Sequence, residues 1–374
     1  MQIQGQVKPT VGIIFDSGMG SSIDGALALA LLYGFDGKND ARLISVSVSR
    51  ANLSSAAYCE AVGRFYAGAV NGGFGGVGRS LPVGLAVDGK IKDETPMLAV
   101  PLAKMTADGK PLYANGIHQL NDTAEVPALI RNAFTSQYDQ NSIAILAGPA
   151  TNFAQVLDLP RVKDLISAKC RFLVMAGGAF PGGKPEFNIK ADIPAARKLF
   201  AEWPTSIILS GSEIGDALPF PAASIEKDFA WSPNHPVVDA YKAFRPMPYD
   251  APTGDMSAVL YAVHSQDGYF KLSEPGTITV MDDGRTKFTP SAQGKHRYLI
   301  LDPAQKERIL KVYTEVASAK PVVRAPRFPR KEKELKEKEL KDQELKDQEL
   351  KDKDLKDKEI PVKLSETKST AAQQ

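Results

Sequence analysis

Short apolar runs alternate with longer amphipathic stretches along the first 320 residues, and this pattern predicts strands that alternate with helices. Residues 11–15 form an apolar run that is too short for a helix and is typical of a strand buried on both faces. A loop of small residues follows, and then a helix rich in Ala and Leu that Gly34 is expected to end. The order strand, turn, helix, strand, helix indicates a parallel sheet with crossover helices.

The rest of the chain continues this alternation and predicts one domain over residues 10–320. We predict strands at 41–49, 81–87, 142–147, 171–175 and 206–209, helices at 54–69, 124–136, 194–202 and 303–319, an antiparallel pair at 276–281 and 287–290, and loops at 71–78, 88–122 and 184–192. The predicted fold class is α/β, a single open and mostly parallel sheet, Rossmann-like, with helices on both faces.

The composition changes after residue 320. Residues 321–329 are rich in proline, and residues 331–360 repeat charged pentads that each end in an aliphatic residue. Leucines five residues apart lie about 140° apart around a helix, so they form no continuous apolar seam. We expect residues 321–374 to be a linker followed by a solvated charged helix or a disordered tail.

Charge and composition narrow the choice of partners. The 374 residues carry a formal net charge of only +2, which gives no electrostatic case for binding nucleic acid. No stretch approaches the roughly 20 apolar residues that a membrane-spanning helix needs, and the first ten residues lack a secretory apolar core. Cys59 and Cys170 lie far apart and suit buried thiols. We therefore expect a cytoplasmic protein with no membrane partner.

Two aspartates flank the loop after the first predicted strand. Asp16 closes the strand, and Asp24 stands at the start of the helix, where it is also a candidate N-cap. Ligands of open α/β sheets bind at the carboxyl ends of the strands, so this loop is the candidate site. Thr151 or Asn152 is a candidate cap for a later helix, and Asp255 falls in the first turn of another.

The stretch 15–29 reads Phe-Asp-Ser-Gly-Met-Gly-Ser-Ser-Ile-Asp-Gly-Ala-Leu-Ala-Leu. It resembles the signature of the nucleoside hydrolases, calcium-dependent N-ribohydrolases, one branch of which reads Phe-Asp-Thr-Asp-Met-Gly-Asn-Asp-Ile-Asp-Asp-Ala-Leu-Ala-Leu. Further segments in the family's order resemble its Gly-Pro-Leu-Thr-Asn segment, its Met-Gly-Gly strand end, its Glu-Phe-Asn loop and its late aspartate before an Ala-Val helix; they lie at 145–152, 174–178, 186–189 and 255–260. The resemblance runs from residue 11 to residue 319 and implies hydrolysis of a ribonucleoside to base and ribose.

The resemblance also implies a role for individual residues. Calcium grips the two vicinal ribose hydroxyls and a water molecule, and its site would draw on Asp16, Asp24, the main-chain carbonyl of Ala147 and Asp255. Asp24 is the implied catalytic contact to the ribose 2-hydroxyl. The implied substrate-binding residues are Asn52, His118, Glu186 and Asn188. A homo-oligomer that binds a nucleoside or another small ribosyl ligand is expected.

Two glycines depart from the family's pattern. Gly18 stands where the family has a metal ligand that also acts as general base, and Gly25 stands where it has a second metal carboxylate. Two hypotheses follow: a nucleoside hydrolase with a weakened or rebuilt site, and an inactive pseudo-hydrolase that holds a ribosyl ligand. A third, phosphoryl transfer through Asp16, needs a second acid two residues later, where Gly18 stands.

Overall fold

Strand β1 (Gly12–Ser17) is an interior strand of the sheet, and every residue in it is buried. Its side chains alternate between two apolar cores: Ile13 and Phe15 belong to one, and Ile14 belongs to the other. A strand that contributes to a core on each face must be apolar at both odd and even positions. The computed structural model describes residues 10–67 and 81–322, which belong to one compact unit.

Ten strands form the sheet within the described residues, in the order β3-β2-β1-β4-β5-β6-β10-β8-β9, with β7 paired to β10. The other strands are β2 (Arg42–Val48), β3 (Val83–Leu85), β4 (Ser142–Ala147), β5 (Cys170–Ala176), β6 (Ser206–Ser210), β7 (Phe270–Leu272), β8 (Gly276–Val280), β9 (Thr286–Pro290) and β10 (His296–Leu301). Pairing is parallel from β3 through β6 to β10, and antiparallel among β7, β8, β9 and β10.

Helices cover both faces of the sheet. They are α1 (Ile23–Lys38), α2 (Leu53–Tyr66), α3 (Pro96–Leu102), α4 (Val126–Thr135), α5 (Thr151–Val156), α6 (Val162–Lys169), α7 (Phe187–Ala191), α8 (Ile193–Glu202), α9 (Ser212–Ala217), α10 (Ala222–Lys227), α11 (Pro236–Phe244), α12 (Gly254–Val263) and α13 (Lys306–Ala317). Apolar residues of α1, α2, α11, α12 and α13 fill one core, and those of α4, α5, α6 and α8 fill the other. The predicted α/β class with an open, mostly parallel sheet is confirmed.

The prediction that Gly34 ends α1 is wrong. The helix continues to Lys38, and Asn39, whose φ is 65°, ends it in the left-handed conformation. The reason lies in packing against α13: a Cβ on Gly34 would come within 2.1 Å of the carbonyl oxygen of Val316. Glycine is therefore needed here for the close approach of two helices.

Other local predictions also need correction. The segment 88–122 contains α3, and the polar loop 184–192 contains the short helix α7. Neither Thr151 nor Asn152 caps α5, because Ala150 occupies the N-cap position. Their side chains reach across the fold instead: the Thr151 hydroxyl donates to Asp192 over 2.7 Å, and the Asn152 amide donates to Asp16 over 2.6 Å.

Some predictions lie outside the described residues, namely the glycine-rich loop 71–78 and nearly all of the segment 321–374. The antiparallel pair predicted near the end of the domain is confirmed as β8 and β9. Among the helices described by the structure, none has both the length and the apolar character that crossing a membrane requires.

Candidate active site

The carboxyl ends of β1, β2 and β4 meet at one edge of the sheet. Asp16 pairs in register with Ser47 of β2 and Leu146 of β4, and Ser17 is the last residue of β1. The loop that follows leads into α1, so the side chains at this edge and the first turn of α1 share one region. This arrangement is the ligand-binding edge of an open α/β sheet.

Asp16 is fully buried and held by its neighbours. Its Oδ2 atom accepts hydrogen bonds from the Ser47 hydroxyl and the Asn152 amide, each 2.6 Å long. Burial raises the pKa of Asp16 to about 7, and the hydrogen bonds from Ser47 and Asn152 oppose that rise. Asp16 thus links β2 and α5 to the end of β1 and supports the structure of the site.

Asp24 does not cap its own helix; it caps α12. Ser22 occupies the N-cap position of α1, and Asp24 lies inside the first turn. The Asp24 carboxylate accepts the backbone N–H of Asp255 over 2.6 Å and that of Met256 over 3.2 Å. These are orphan donors of the first turn of α12, whose own N-cap side chain makes no capping bond. Burial raises the pKa of Asp24 to about 7, against the effect of these two bonds.

Asp255 differs from the other acids at this edge. It is 7% exposed, and its carboxylate has no hydrogen bond or ion pair within the described residues. Burial raises its pKa well above the usual range, and the charges of Asp24 and Glu186 raise it further. Asp24, Glu186 and Asp255 therefore lie close enough for their charges to interact. Of these three, only Asp255 has both carboxylate oxygens free of hydrogen bonds from the described residues.

Glu186 and Asn188 lie at the start of α7, beside the end of β5. The Glu186 carboxylate accepts the backbone N–H groups of Asn188, Ile189 and Gly178 over 3.0–3.2 Å, so it caps α7 and holds the turn after β5. Burial raises the pKa of Glu186. The Asn188 amide donates to the carbonyl of Ala176 over 2.9 Å. Its Oδ1 has no partner in the described part of the chain.

Two other predicted substrate contacts lie elsewhere or are engaged in the fold. Asn52 caps α2: its Oδ1 accepts the N–H of Ser54 over 2.8 Å, and its amide donates to the carbonyl of Lys92 over 3.1 Å. His118 is exposed in a turn where its N–H donates to Asp122. The structure therefore brings together Asp16, Asp24, Asp255, Glu186 and Asn188, while Asn52 acts as a helix cap.

The two departures from the family's pattern fall inside the acidic site. A Cβ on Gly25 would lie 3.6 Å from Oδ2 of Asp255, so a carboxylate there would adjoin the late aspartate. A Cβ on Gly18 would contact Pro149 at 3.3 Å. The carbonyl of Ala147, the implied main-chain ligand, accepts the N–H of Gly18 over 2.9 Å.

The oxygen atoms at this site do not fit a calcium ion. Calcium takes six to eight oxygen ligands, several of them carboxylates. Two carboxylates of the family's shell are glycine here, and the oxygens of Asp24 already accept backbone N–H groups. Within residues 10–67 and 81–322, no three His, Cys, Asp or Glu side chains are grouped so that they could hold a metal ion.

Buried polar atoms without a hydrogen-bond partner gather at this same edge. Within the described residues they include Asp16 Oδ1, Ser17 Oγ, Asn152 Oδ1, Ser210 Oγ and Glu213 Oε1. Nearly all buried polar atoms in proteins are paired, so this concentration indicates a place where water or a ligand supplies the missing partners. Sequence reasoning did not single out Ser17, Ser210 or Glu213, because a single serine or glutamate after a strand has no distinctive spacing.

The fold and the acidic edge together define an α/β protein with a candidate ligand site at the carboxyl ends of parallel strands. Residues 13–321 match the sequence profile of the family described as inosine-uridine preferring nucleoside hydrolase. That match spans most of the chain, and the protein therefore belongs to this family. No curated protein matches it by sequence.

Solved structures share the fold at low sequence identity. The plant nucleoside hydrolase PpNRh1 is 17% identical with a TM-score of 0.59, over 83% of this chain and 100% of that one. The inosine-uridine preferring nucleoside hydrolase from Bacillus anthracis is 16% identical with a TM-score of 0.54, over 83% and 99%. The type III effector protein XopQ, solved with adenosine diphosphate ribose, is 13% identical with a TM-score of 0.57, over 84% and 96%. At these identities the likeness shows the fold alone.

Proposed function

We propose that this member of the nucleoside hydrolase family binds a ribosyl ligand and has lost calcium-dependent hydrolysis of the N-glycosidic bond. One observation carries the proposal: of the four acids at the site, three accept a hydrogen bond from the protein itself on at least one carboxylate oxygen, and within the described residues only Asp255 accepts none. Two further acids of the family's signature are replaced in this chain by Gly18 and Gly25.

The ligand-holding part of the site supports binding. Asn188 keeps a carbonyl oxygen available beside the acidic cluster, and Asp255 keeps its carboxylate. A carboxylate and an amide oxygen are both acceptors for sugar hydroxyls. XopQ, which shares the fold, was solved with adenosine diphosphate ribose, and the nucleoside hydrolases are named for ribosides. A ribosyl compound is therefore the ligand class that we propose.

The loss of turnover follows from the missing groups. A positioned general base typically contributes about 10²–10⁴ in rate, which is roughly 3–5 kcal/mol of barrier. A metal that orients the diol and lowers the pKa of the attacking water contributes further. A second candidate function, slow hydrolysis without a metal, is favoured by the free carboxylate of Asp255 next to Asp24 and Glu186.

The proposal is tested by measuring binding and base release together. Inosine, uridine and adenosine diphosphate ribose are titrated into the purified protein by calorimetry, with calcium and with EDTA, and release of base is followed by chromatography. We expect binding that is equal in both buffers and no calcium-stimulated release. Calcium-dependent release at rates typical of enzymes would overturn the proposal, and slow release that is equal in both buffers would favour the second candidate.

A double variant tests the interpretation of the two glycines. Gly18→Asp combined with Gly25→Asp restores both carboxylates of the signature, one of them beside Asp255. We expect calorimetry to detect calcium binding in this variant and none in the wild type. If the double variant folds and binds no calcium, the alignment of this loop with the family signature is wrong.

A further inference from the structure

Ser17 is a buried polar residue that the family's pattern leaves without a role. It is the last residue of β1 and is 0% exposed, and its hydroxyl has no hydrogen-bond partner in the described part of the chain. Its carbonyl, by contrast, is used, since it accepts the N–H of Ser49. Buried hydroxyls are normally hydrogen-bonded, so an unpaired one at the carboxyl ends of the strands is a candidate contact for a bound ligand.

The surroundings of Gly25 show where the Ser17 hydroxyl points. A Cβ placed on Gly25 would lie 3.2 Å from Ser17 Oγ, 3.6 Å from Asp255 Oδ2 and 3.8 Å from the methyl of Met19. The space beside Gly25 is thus bounded by a free hydroxyl, a free carboxylate and a flexible thioether. Methionine adapts its shape readily, so Met19 is able to shift and admit an oxygen atom.

The chemistry of this space suits one hydroxyl of a sugar. A sugar hydroxyl donates one hydrogen bond and accepts others, and here the Asp255 carboxylate is the acceptor and the Ser17 hydroxyl is the donor. No side chain of residue 25 occupies this space, because that residue is glycine. We propose that Ser17 and Asp255 bind a ribose hydroxyl directly beside Gly25, in the role that the family gives to calcium. The inference rests on the proposed function, namely that a ribosyl ligand binds here.

Ser17→Ala separates a ligand contact from a structural role. Because the hydroxyl is unpaired in the free protein, its removal should leave the melting temperature unchanged or raise it. Inosine binding in EDTA, measured by calorimetry, should weaken about 3- to 10-fold, the usual effect of one hydrogen bond. Ser45→Ala is the matched control, since the Ser45 hydroxyl is also buried and unpaired but lies within β2, away from the strand ends. It should leave the affinity unchanged.

Deoxynucleosides show whether the lost contact is to a hydroxyl of the ligand. For the wild type, either 2′-deoxyinosine or 3′-deoxyinosine should bind more weakly than inosine, and Ser17→Ala should cause no further loss for that analogue. A second variant, Gly25→Ala, fills the space and should weaken inosine binding. Its control, Gly254→Ala, adds a Cβ that meets only Asp24 at 3.8 Å and should bind as the wild type does.

The possible failures are distinguishable. If wild-type protein binds inosine but Ser17→Ala binds it equally well, or if the loss in Ser17→Ala is the same for inosine and both deoxynucleosides, the inference is overturned and the proposed function stands. If Ser17→Ala lowers the melting temperature without changing affinity, the hydroxyl has a structural role and the inference is again overturned. If the wild type binds none of the ribosyl probes, the proposed function fails and this inference fails with it.

Discussion

Asp24→Ala should destabilise the protein by breaking the link between α1 and α12. The variant leaves the N–H groups of Asp255 and Met256 unpaired at a buried helix start. Loss of a helix cap costs about 0.5–2 kcal/mol, and an unpaired buried donor costs about 1–3 kcal/mol. Removal of a carboxylate whose pKa burial has raised to about 7 offsets part of this at neutral pH. We expect the free energy of unfolding to fall by about 2 kcal/mol.

The pH dependence of Asp24→Asn checks the same reasoning from another side. The folded-state pKa of Asp24 is raised to about 7, above its unfolded value, so its contribution to stability is largest below about pH 4 and is lost as the pH rises towards 7. Asparagine does not titrate. The stability of Asp24→Asn relative to the wild type should therefore improve with rising pH, by at most about 1.4 kcal/mol per pH unit, and level off above about pH 7.

Urea unfolding of all three proteins, followed by circular dichroism from about pH 4 to about pH 8, measures both effects. Asp164→Ala is the control, because Asp164 lies in the first turn of α6 and its side chain is 77% exposed. Equal stability of Asp24→Ala and the wild type would refute the idea that this carboxylate holds α12. An identical pH profile for Asp24→Asn and the wild type would refute the raised pKa.

Three further predictions use the same unfolding measurement. Gly34→Ala should cost about 1–3 kcal/mol, because its Cβ would overlap the carbonyl of Val316, and an unchanged stability would contradict that packing. Asn52→Ala should cost about 1 kcal/mol through the lost cap and leave nucleoside affinity unchanged; a fall in affinity would instead support the ribose contact implied by the family. Burial lowers the pKa of His235 to about 3, so the wild type should lose stability as the pH falls below about 6.5, and His235→Gln should lose less.

Much of the fold could be predicted because its signals are local. The apolar run before Asp16 and the Ala-rich stretch after it identify β1 and α1 through spacing that neighbouring residues create. The end of α1 could not be predicted in this way. Glycine often ends a helix, but Gly34 lies within α1 and allows the close approach of Val316, a residue far along the chain. A local rule fails wherever the reason for a residue lies in a distant segment.

The candidate site was also predictable only in part. The position of Asp16 at a strand end and the absence of two acids at Gly18 and Gly25 could be read from the order of residues, and the resemblance to the family pointed to Glu186 and Asn188 in the loop 184–192. The use of each side chain could not. Asn52 proved to be engaged as a helix cap, which depends on the loop that carries Lys92. Hydrogen bonds consume the oxygens of some acids and leave others free, and no spacing in the chain reveals which.

The amino-acid sequence by itself determined the α/β class, the family and the acids that the site lacks, since these depend on periodicity and on which residue types are present. Only the tertiary structure decided that Asp24 caps a helix whose first turn lies 231 positions away, and that the carboxylate of Asp255 accepts no hydrogen bond from the described residues. The physical reason is that hydrogen-bond partnership is set by distance in space. A carboxylate acquires its role from the donors that folding brings to it.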